Sequence, residues 1–163
     1  MADQPNAKIA LVGGDGEIET LWAYDLGGGR YRLDNLPWYA YGISHGDIVE
    51  AIPGPDGGLA LTRVVEKSGN RTVRIILQRV PDGDDLTFES KAALPLLEKL
   101  GCGWEGASKT FIAVNIPPGI ALQTVTDALD GTDVDWEYAD PTPEEMGCGP
   151  DESEEPPLPD AAC

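Results

Sequence analysis

Histidine and cysteine, the side chains that hold most zinc ions in proteins, are scarce in this chain of 163 residues. It has one histidine, His45, and three widely spaced cysteines without a Cys-x-x-Cys pair. A structural zinc ion needs about four cysteine or histidine ligands, and a catalytic one about three protein ligands, so the sequence supplies neither kind of site. A catalytic mechanism that depends on histidine would rest on His45 alone. We therefore predict no metal, no cofactor and no catalytic residue, which means a protein that is not an enzyme.

Basic side chains are also few. Eleven lysines and arginines stand against 29 aspartates and glutamates, which gives a formal net charge of −18 and a pI near 4.1. A surface of this charge repels the phosphates of nucleic acids and of anionic lipids. We therefore expect neither a nucleic acid nor a membrane as partner. A basic protein is the partner that this charge favours.

Long apolar runs are absent as well. No segment of about 18 apolar residues is available to span a membrane, and the first seven residues lack the basic and apolar stretches of a secretory signal. We therefore expect a cytoplasmic protein. Hydrophobic residues make up 41% of the chain, which is enough for a chain of this length to build a core.

Short strands and glycine-rich turns are typical of residues 1–70. The three glycines at 27–29 join two strand-like segments into a hairpin, and a Pro-Gly-rich turn at 53–58 joins another pair. The predicted strands are 8–12, 17–25, 30–33, 46–52 and 59–66. Because no ten-residue helical pattern interrupts them, we predict a small antiparallel β-barrel-like subdomain, curled or partly open.

Residues 71–139 have a different periodicity. Apolar residues recur at three- and four-residue spacing over 87–100 and 121–129, which predicts two helices. Pro95 favours a start of the first helix near residues 91–94, because proline fits the first helical turn better than the interior. Strands are predicted at 72–78, 102–105, 109–115 and 133–138. The order strand, helix, strand, strand, helix, strand predicts a ferredoxin-like βαββαβ subdomain, so the fold class is α+β.

Residues 140–163 contain eight acidic residues, six prolines and no basic residue. Such a composition buries too little apolar surface to offset the chain entropy lost on folding. We therefore predict a disordered acidic tail. Taking these eight from the 29 acidic residues leaves 21 against 11 basic ones, so residues 1–139 carry a charge of −10 by themselves.

Three motifs carry a family resemblance. They are Glu-x-Leu-Trp-Ala at 19–23, Arg-Tyr-Arg-Leu-Asp-Asn-x-Pro at 30–37 and Gly-Asp-x-Val at 46–49. With further short matches downstream, the pattern resembles a bacterial family known as domain of unknown function 4265, over most of residues 17–138. The resemblance implies no reaction, ligand or catalytic residue.

The candidate binding residues lie between positions 34 and 47. Aromatic side chains in this segment either form an exposed contact surface or cap the end of the barrel, while Asp34 begins a turn. Ser-His-Gly-Asp at 44–47 contains the residue types of a serine triad, but adjacent residues cannot converge on one point, so a turn before a strand is the better interpretation. As partner-binding residues we predict Asp34, Trp38, Tyr39, Tyr41, His45 and Asp47.

Three functions fit this sequence. We predict a non-catalytic acidic module that binds a basic protein, as an immunity-type inhibitor binds a bacterial toxin. One alternative is a small-molecule sensor whose ferredoxin-like half dimerises edge to edge around a ligand. The other is an enzyme that uses Asp34, Asp47 or Glu66 near a cleft between the two halves.

Overall fold

The computed structural model describes residues 4–12, 16–76, 88–108 and 111–148. The elements within these ranges are β1 (Ala7–Val12), β2 (Ile18–Gly27), β3 (Arg30–Leu33), β4 (Ile48–Pro53), β5 (Leu59–Glu66), β6 (Arg71–Ile76), α1 (Phe88–Leu100), β7 (Gly103–Ser108), β8 (Phe111–Ile116), α2 (Leu122–Asp130) and β9 (Asp135–Asp140). They form a closed five-stranded barrel and a four-stranded sheet with two helices. The α+β class is confirmed, and the ends of the strands lie within three residues of the predicted ones.

The barrel consists of β1 to β5 in chain order. Successive strands pair antiparallel, and β1 closes the barrel by pairing parallel with β5, with Ile9 opposite Leu59 and Ala10 opposite Ala60. The prediction of a barrel-like sheet is therefore confirmed, but the barrel is closed and one of its pairings is parallel. Register shifts in the β2–β3 and β4–β5 pairings give the extra curvature that closure requires.

Alternation along the strands separates the inside of the barrel from the outside. In β2, Leu21 and Ala23 are buried, whereas Ile18 and Trp22 on the opposite face are exposed. The barrel core is made of buried, mostly aliphatic residues: Ile9, Leu11, Leu21, Ala23, Tyr31, Leu33, Ala40, Ile43, Val49 and Ala51. One charged residue, Glu19, shares the inward face of β2 with this core.

The second half follows the predicted order of elements, and its sheet has the strand order β7-β8-β6-β9 with antiparallel pairings throughout. One face packs against the helices. The buried residues of this layer are Val73, Ile75, Ala93, Leu94, Leu97, Cys102, Ile112, Val114, Ile116, Val125, Leu129 and Val134. On β6, Thr72 and Arg74 alternate with these core residues, so they occupy the other face of the sheet. That face meets the segment between β3 and β4.

Helix α1 differs from its prediction at one end. It runs from Phe88 to Leu100 with Pro95 in its interior, so the expected start near residues 91–94 is wrong. Pro95 is exposed, while Leu94 and Leu97 beside it are buried. The burial of these leucines offsets the loss of the helical hydrogen bond that proline, which has no backbone N–H, cannot donate. Gly101 ends the helix with φ +94°, as the sequence predicts.

Ordered structure extends past the predicted start of the tail. Asp140 is the last residue of β9 and is buried. Backbone hydrogen bonds from Met146 N to Thr142 O and from Cys148 N to Pro143 O then fold residues 142–148 into turns. The boundary predicted at 139/140 is therefore corrected, and the remainder of the predicted tail, 149–163, lies outside the described residues. No helix in the described part of the chain is long and apolar enough to cross a bilayer.

Candidate functional site

The segment from 34 to 47, which connects β3 to β4, holds the two halves together. Gly42 N donates to the carbonyl of Ala139 in β9 over 2.8 Å. Ser44 Oγ lies 2.8 Å from Thr72 Oγ1 of β6 and donates to Asp140 Oδ2 over 2.6 Å. This segment therefore belongs to the junction between barrel and sheet, and its geometry decides where the predicted binding residues lie.

A lysine lies at the centre of the junction. Lys67 Nζ is 2.7 Å from Asp47 Oδ2 and 2.6 Å from Asp140 Oδ2, and it also donates to the carbonyl of Gly42 over 3.0 Å. Burial alone lowers the pKa of Lys67, but the hydrogen bonds and charges of Asp140 and Asp47 outweigh it, so the pKa is raised. Lys67 is therefore protonated at neutral pH and serves as the counter-ion of two buried carboxylates.

Asp47 does not lie on the binding surface that the sequence predicts for it. Its side chain is fully buried and accepts hydrogen bonds from Ser44 N over 2.9 Å and from Ser68 N over 2.8 Å, besides its contact with Lys67. The carbonyl of His45 accepts hydrogen bonds from the side chains of Ser68 and Asn70. These contacts support the turn interpretation of residues 44–47, and we correct Asp47 from a partner-binding residue to a structural one.

A second buried carboxylate positions the aromatic part of the same segment. Glu19 accepts three backbone hydrogen bonds, from Trp38 N over 2.8 Å, from Tyr39 N over 3.1 Å and from Ala40 N over 2.9 Å. Charge-assisted bonds of this kind are stronger than neutral ones. They fix the backbone of residues 38–40 to β2 and thereby position Trp38, Tyr39 and the adjoining Tyr41, which we call the aromatic ridge. Tyr39 and Tyr41 are each 39% exposed.

A cavity lies on each side of the aromatic ridge. The first, which we call the β2 cleft, has a volume of about 430 Å³, and Trp22, Trp38, Tyr39, Asn35, Glu19 and Glu105 are among the residues that line it. The second, which we call the Arg74 cavity, has a volume of about 290 Å³, and Glu17, Tyr41, Arg74, Phe111 and Glu137 are among the residues that line it. Trp38 and Tyr39 line both cavities, so the ridge forms the wall between them.

Glu105 of β7 gives the β2 cleft its electrostatic character. Burial raises the pKa of its carboxyl, and the negative charge of Asp34 raises it further. A hydrogen bond from the backbone of Leu36, the nearby His45 and a hydrogen bond with Asn35 lower the pKa of Glu105. Two residues predicted from the sequence, Asp34 and His45, therefore lie in the electrostatic environment of a glutamate that the sequence analysis did not single out.

Arg74 of β6 is almost completely buried beneath the other side of the ridge. Its Nη2 donates to the carbonyl of Ala40, and its Nη1 lies 3.4 Å from Glu137 Oε1, which is long for an ion pair. The guanidinium carbon is 4.7 Å from the ring centroid of Tyr41 and 5.9 Å from that of Phe111. Burial and the adjacent Glu137 carboxylate together raise the pKa of Tyr41.

Comparison with known proteins assigns the chain to a family. The family model described as Domain of unknown function (DUF4265) matches residues 19–138. The chain belongs to this family. A search of curated proteins finds no match.

The fold of this DUF4265 chain is similar to that of a solved structure described as a hypothetical protein from Neisseria gonorrhoeae. The TM-score is 0.67 at 18% sequence identity, over 85% of this chain and 96% of that chain. At such an identity the likeness shows the fold alone.

Two of the family motifs quoted above supply buried carboxylates in this DUF4265 chain. Glu19 opens the first motif and holds the aromatic ridge, and Asp47 lies in the third motif and pairs with Lys67. Neither carboxylate is free to contact a partner, because backbone N–H groups and Lys67 already occupy their oxygens. Both motifs therefore shape the junction of the two halves.

The carboxylates proposed from the sequence for an enzyme do not share a cavity on the ridge. Asp47 is buried and paired with Lys67, and Glu66 is exposed at the end of β5. The β2 cleft and the Arg74 cavity are lined by other glutamates instead: Glu17, Glu19, Glu105 and Glu137. Within the described residues, no group of three or more histidine, cysteine, aspartate or glutamate side chains is placed to hold a metal ion.

Sequence reasoning missed several residues of the site, among them Glu19, Arg74, Glu105 and Glu137. A signal existed for two of them. Glu19 falls on the same face of β2 as Leu21 and Ala23, and Arg74 interrupts the apolar run of β6. Charged residues at such positions are rare unless they are paired. Glu105 and Glu137 carry no comparable signal, because polar residues that alternate with apolar ones along a strand usually face solvent.

Proposed function

We propose that this protein is a non-catalytic, acidic protein-binding module of the bacterial cytoplasm, and that it acts as an immunity-type inhibitor of a basic toxin. The observation that carries the proposal is the aromatic ridge with a carboxylate-lined cavity on either side. Tyrosine and tryptophan dominate the binding energy of protein interfaces, because they bury a large area with little loss of side-chain entropy.

The charge of this surface fits a basic partner. Glu17 and Glu137 line the Arg74 cavity, and Glu105 lines the β2 cleft. Arg74, which is buried beneath the ridge, is the cation that lines the Arg74 cavity. Complementary charge raises the rate of association and discriminates against wrong partners. An arginine- or lysine-rich surface is the complement that these carboxylates favour.

The architecture is compatible with a rigid binding scaffold. The order of elements in residues 71–140 and the sheet order β7-β8-β6-β9 support our assignment of this half as ferredoxin-like. The ridge is held by backbone hydrogen bonds to Glu19 on the barrel, and Arg74 of the sheet donates to Ala40 from below. A surface supported from two rigid elements loses little entropy on binding.

The side chains at the junction support a role without catalysis. Ser44 is fully buried, and its hydroxyl is engaged by Asp140 and Thr72. The raised pKa of Lys67 makes this lysine a poor general base. Burial raises the pKa of the Cys102 thiol, so Cys102 is a weak nucleophile.

Photo-crosslinking in the native host tests the proposal. A photoreactive amino acid replaces Tyr39 or Tyr41 in separate variants, and Leu26, which is exposed near the β2–β3 turn, in a control. We expect positions 39 and 41 to capture the same basic protein and position 26 not to capture it. The captured protein is then purified, and its affinity is measured with wild type, Tyr39→Ala and Glu105→Gln.

The affinity and activity measurements with the purified partner decide between the proposed surface and its alternatives. We expect micromolar or tighter binding that weakens with rising salt, at least a tenfold loss on Tyr39→Ala, and inhibition of the partner's toxic activity. The same capture from all three positions, or a partner whose affinity is insensitive to both substitutions, contradicts the proposed surface. A partner that binds at the ridge but keeps its activity contradicts the immunity role.

A further inference from the structure

Two buried hydrogen-bond donors without a partner belong to side chains that line the Arg74 cavity. In the described part of the chain, three buried side-chain nitrogen or oxygen atoms have no hydrogen-bond partner, and two of them are Trp38 Nε1 and Arg74 Nε. An unpaired buried donor is costly, and most such groups in folded proteins find an acceptor. Trp38 lines both cavities, but Arg74 lines only the Arg74 cavity, so an acceptor shared by the two donors has to bind there.

The chemistry of the donors selects that acceptor. Arg74 carries a full positive charge, and its planar guanidinium matches the two oxygens of a carboxylate. Its present ionic partner is weak, since Glu137 Oε1 is 3.4 Å from Nη1. A ligand carboxylate that displaces Glu137 from Nη1 takes its place beside the guanidinium, in a cavity that Trp38 also lines. Surrounding side chains close both free donors off from solvent, so a ligand reaches them only when side chains that line the cavity move aside.

The other walls of the cavity define the rest of the ligand. Two carboxylates, Glu17 and Glu137, repel a simple anion but attract an ammonium group. The rings of Tyr39 and Phe111 stack with their centroids 5.8 Å apart, and Tyr41 adds a third aromatic wall. A volume of about 290 Å³ lies at the small end of ligand-binding cavities, which suits a molecule of the size of an amino acid.

We propose that the Arg74 cavity is a binding site for a zwitterionic amino acid with an apolar or aromatic side chain. The ligand carboxylate accepts hydrogen bonds from Arg74 and Trp38, its ammonium group pairs with Glu137 or Glu17, and its side chain packs on the tyrosine and phenylalanine rings. The site lies beside the surface proposed for protein binding but does not depend on it, because the ligand contacts the inner walls of the cavity and needs no partner protein.

Titration with three related probes tests the site in the full-length protein. They are L-phenylalanine, 3-phenylpropionate, which lacks the ammonium group, and 2-phenylethylamine, which lacks the carboxylate. Two-dimensional NMR of the indole N–H groups gives the readout. We expect L-phenylalanine to shift the Trp38 signal and to leave the Trp22 signal in place, and we expect each incomplete probe to bind about tenfold more weakly or worse.

Matched variants assign the contacts. Trp38→Phe keeps an aromatic wall but removes the N–H, so we expect roughly fivefold or greater weakening for the two probes with a carboxylate and little change for 2-phenylethylamine. Trp22→Phe in the β2 cleft is the control and should change nothing. Glu137→Gln should weaken L-phenylalanine and reduce its advantage over 3-phenylpropionate.

The proposal is overturned if none of the probes shifts the Trp38 signal up to about 10 mM, well above ordinary amino-acid affinities. It is also overturned if 3-phenylpropionate or 2-phenylethylamine binds as well as L-phenylalanine, or if Trp38→Phe and Trp22→Phe have equal effects. Circular dichroism of each variant shows that a lost interaction is not a lost fold. None of these outcomes bears on the protein partner, so the two proposals fail separately.

Discussion

Lys67 Nζ lies 2.6 Å from Asp140 Oδ2, although 73 positions separate the two residues. Lys67 follows the last strand of the barrel, and Asp140 ends the last strand of the second sheet. The side chains of Asp47 and Asp140 are 0% and 9% exposed, whereas that of Lys67 is 47% exposed. One partly solvated cation therefore neutralises two buried carboxylates that would otherwise repel each other across the junction.

Replacing this cation should destabilise the whole molecule. Lys67→Met keeps the length and apolar stem of the side chain but leaves Asp47 and Asp140 buried without a counter-ion. We expect a loss of about 2 kcal/mol in the free energy of unfolding, less than for a fully buried pair because water screens half of Lys67. Urea unfolding followed by tryptophan fluorescence measures the loss.

The exposed pair of Arg63 and Glu50 is the matched control. Their atoms are 2.8 Å apart, but the side chain of Arg63 is 65% exposed. Arg63→Met should therefore have a much smaller effect than Lys67→Met. Equal effects of the two substitutions would show that burial of the aspartates gives Lys67 no special importance.

Stability should fall at alkaline pH, and Lys67 should account for part of the decline. The raised pKa of Lys67 means that its stabilising contribution is complete below the unfolded value of about 10.4 and is lost as pH rises through the folded value. Tyr41 acts in the same direction, because its raised pKa lets the unfolded state ionise first, above about pH 10. Unfolding free energies measured from pH 8 to pH 11 check this.

Variants separate the two contributions to the alkaline decline. Lys67→Met and Tyr41→Phe should each make the decline shallower, since each removes a group whose proton the folded state retains. Arg63→Met should leave its slope as in the wild type. A wild-type curve that stays flat to pH 11 would contradict the assigned directions of both pKa shifts.

The elements that could be predicted from the sequence depend on local signals. The glycines at 27–29, the Pro-Gly turn at 53–58 and the three- and four-residue spacing in the helices each act over a few neighbours, and strands and helices formed there. The closure of the barrel depends on β1 meeting β5 in parallel, about fifty positions apart, and no local pattern encodes that pairing.

The site was harder to predict because two of its charged residues, Glu19 and Arg74, are buried, whereas charged residues usually lie on the surface. In β2, alternation places Glu19 on the same face as Leu21 and Ala23, which signals an unusual charge among apolar residues but does not show what pairs with it. The structure buries Glu19, because three backbone N–H groups of the connecting segment replace its water. Such compensation comes from residues about twenty positions away and becomes visible only in the folded chain.

The aromatic ridge should lose its fixed geometry when Glu19 loses its charge. Glu19→Gln keeps one acceptor oxygen but turns an amide group toward backbone donors, so at least one N–H of residues 38–40 is left unpaired. We expect a loss of about 2 kcal/mol in the free energy of unfolding. The indole N–H signal of Trp38 should broaden or shift, whereas those of the other tryptophans should change less.

Glu66→Gln is the control for that experiment, because Glu66 is an exposed glutamate at the end of β5. It removes the same charge from the chain and should alter neither stability nor the Trp38 signal. If Glu66→Gln reproduces the effect of Glu19→Gln, the cause is net charge, and the three hydrogen bonds do not determine the position of the ridge.

Glu105 should behave in the opposite way, as a glutamate whose removal stabilises the protein. Burial raises the pKa of its carboxyl, so ionisation of Glu105 at neutral pH destabilises the folded state. The free energy of unfolding therefore rises as the pH falls through the pKa of the folded state towards that of the unfolded state, about 4.3. Glu105→Gln keeps an oxygen for Leu36 and Asn35 while removing this cost. We therefore expect the variant to be more stable than wild type at pH 7, with an advantage that shrinks towards pH 4 in urea unfolding. If the advantage is constant with pH, or the variant is less stable at pH 7, the burial of this carboxyl in the β2 cleft does not control its titration.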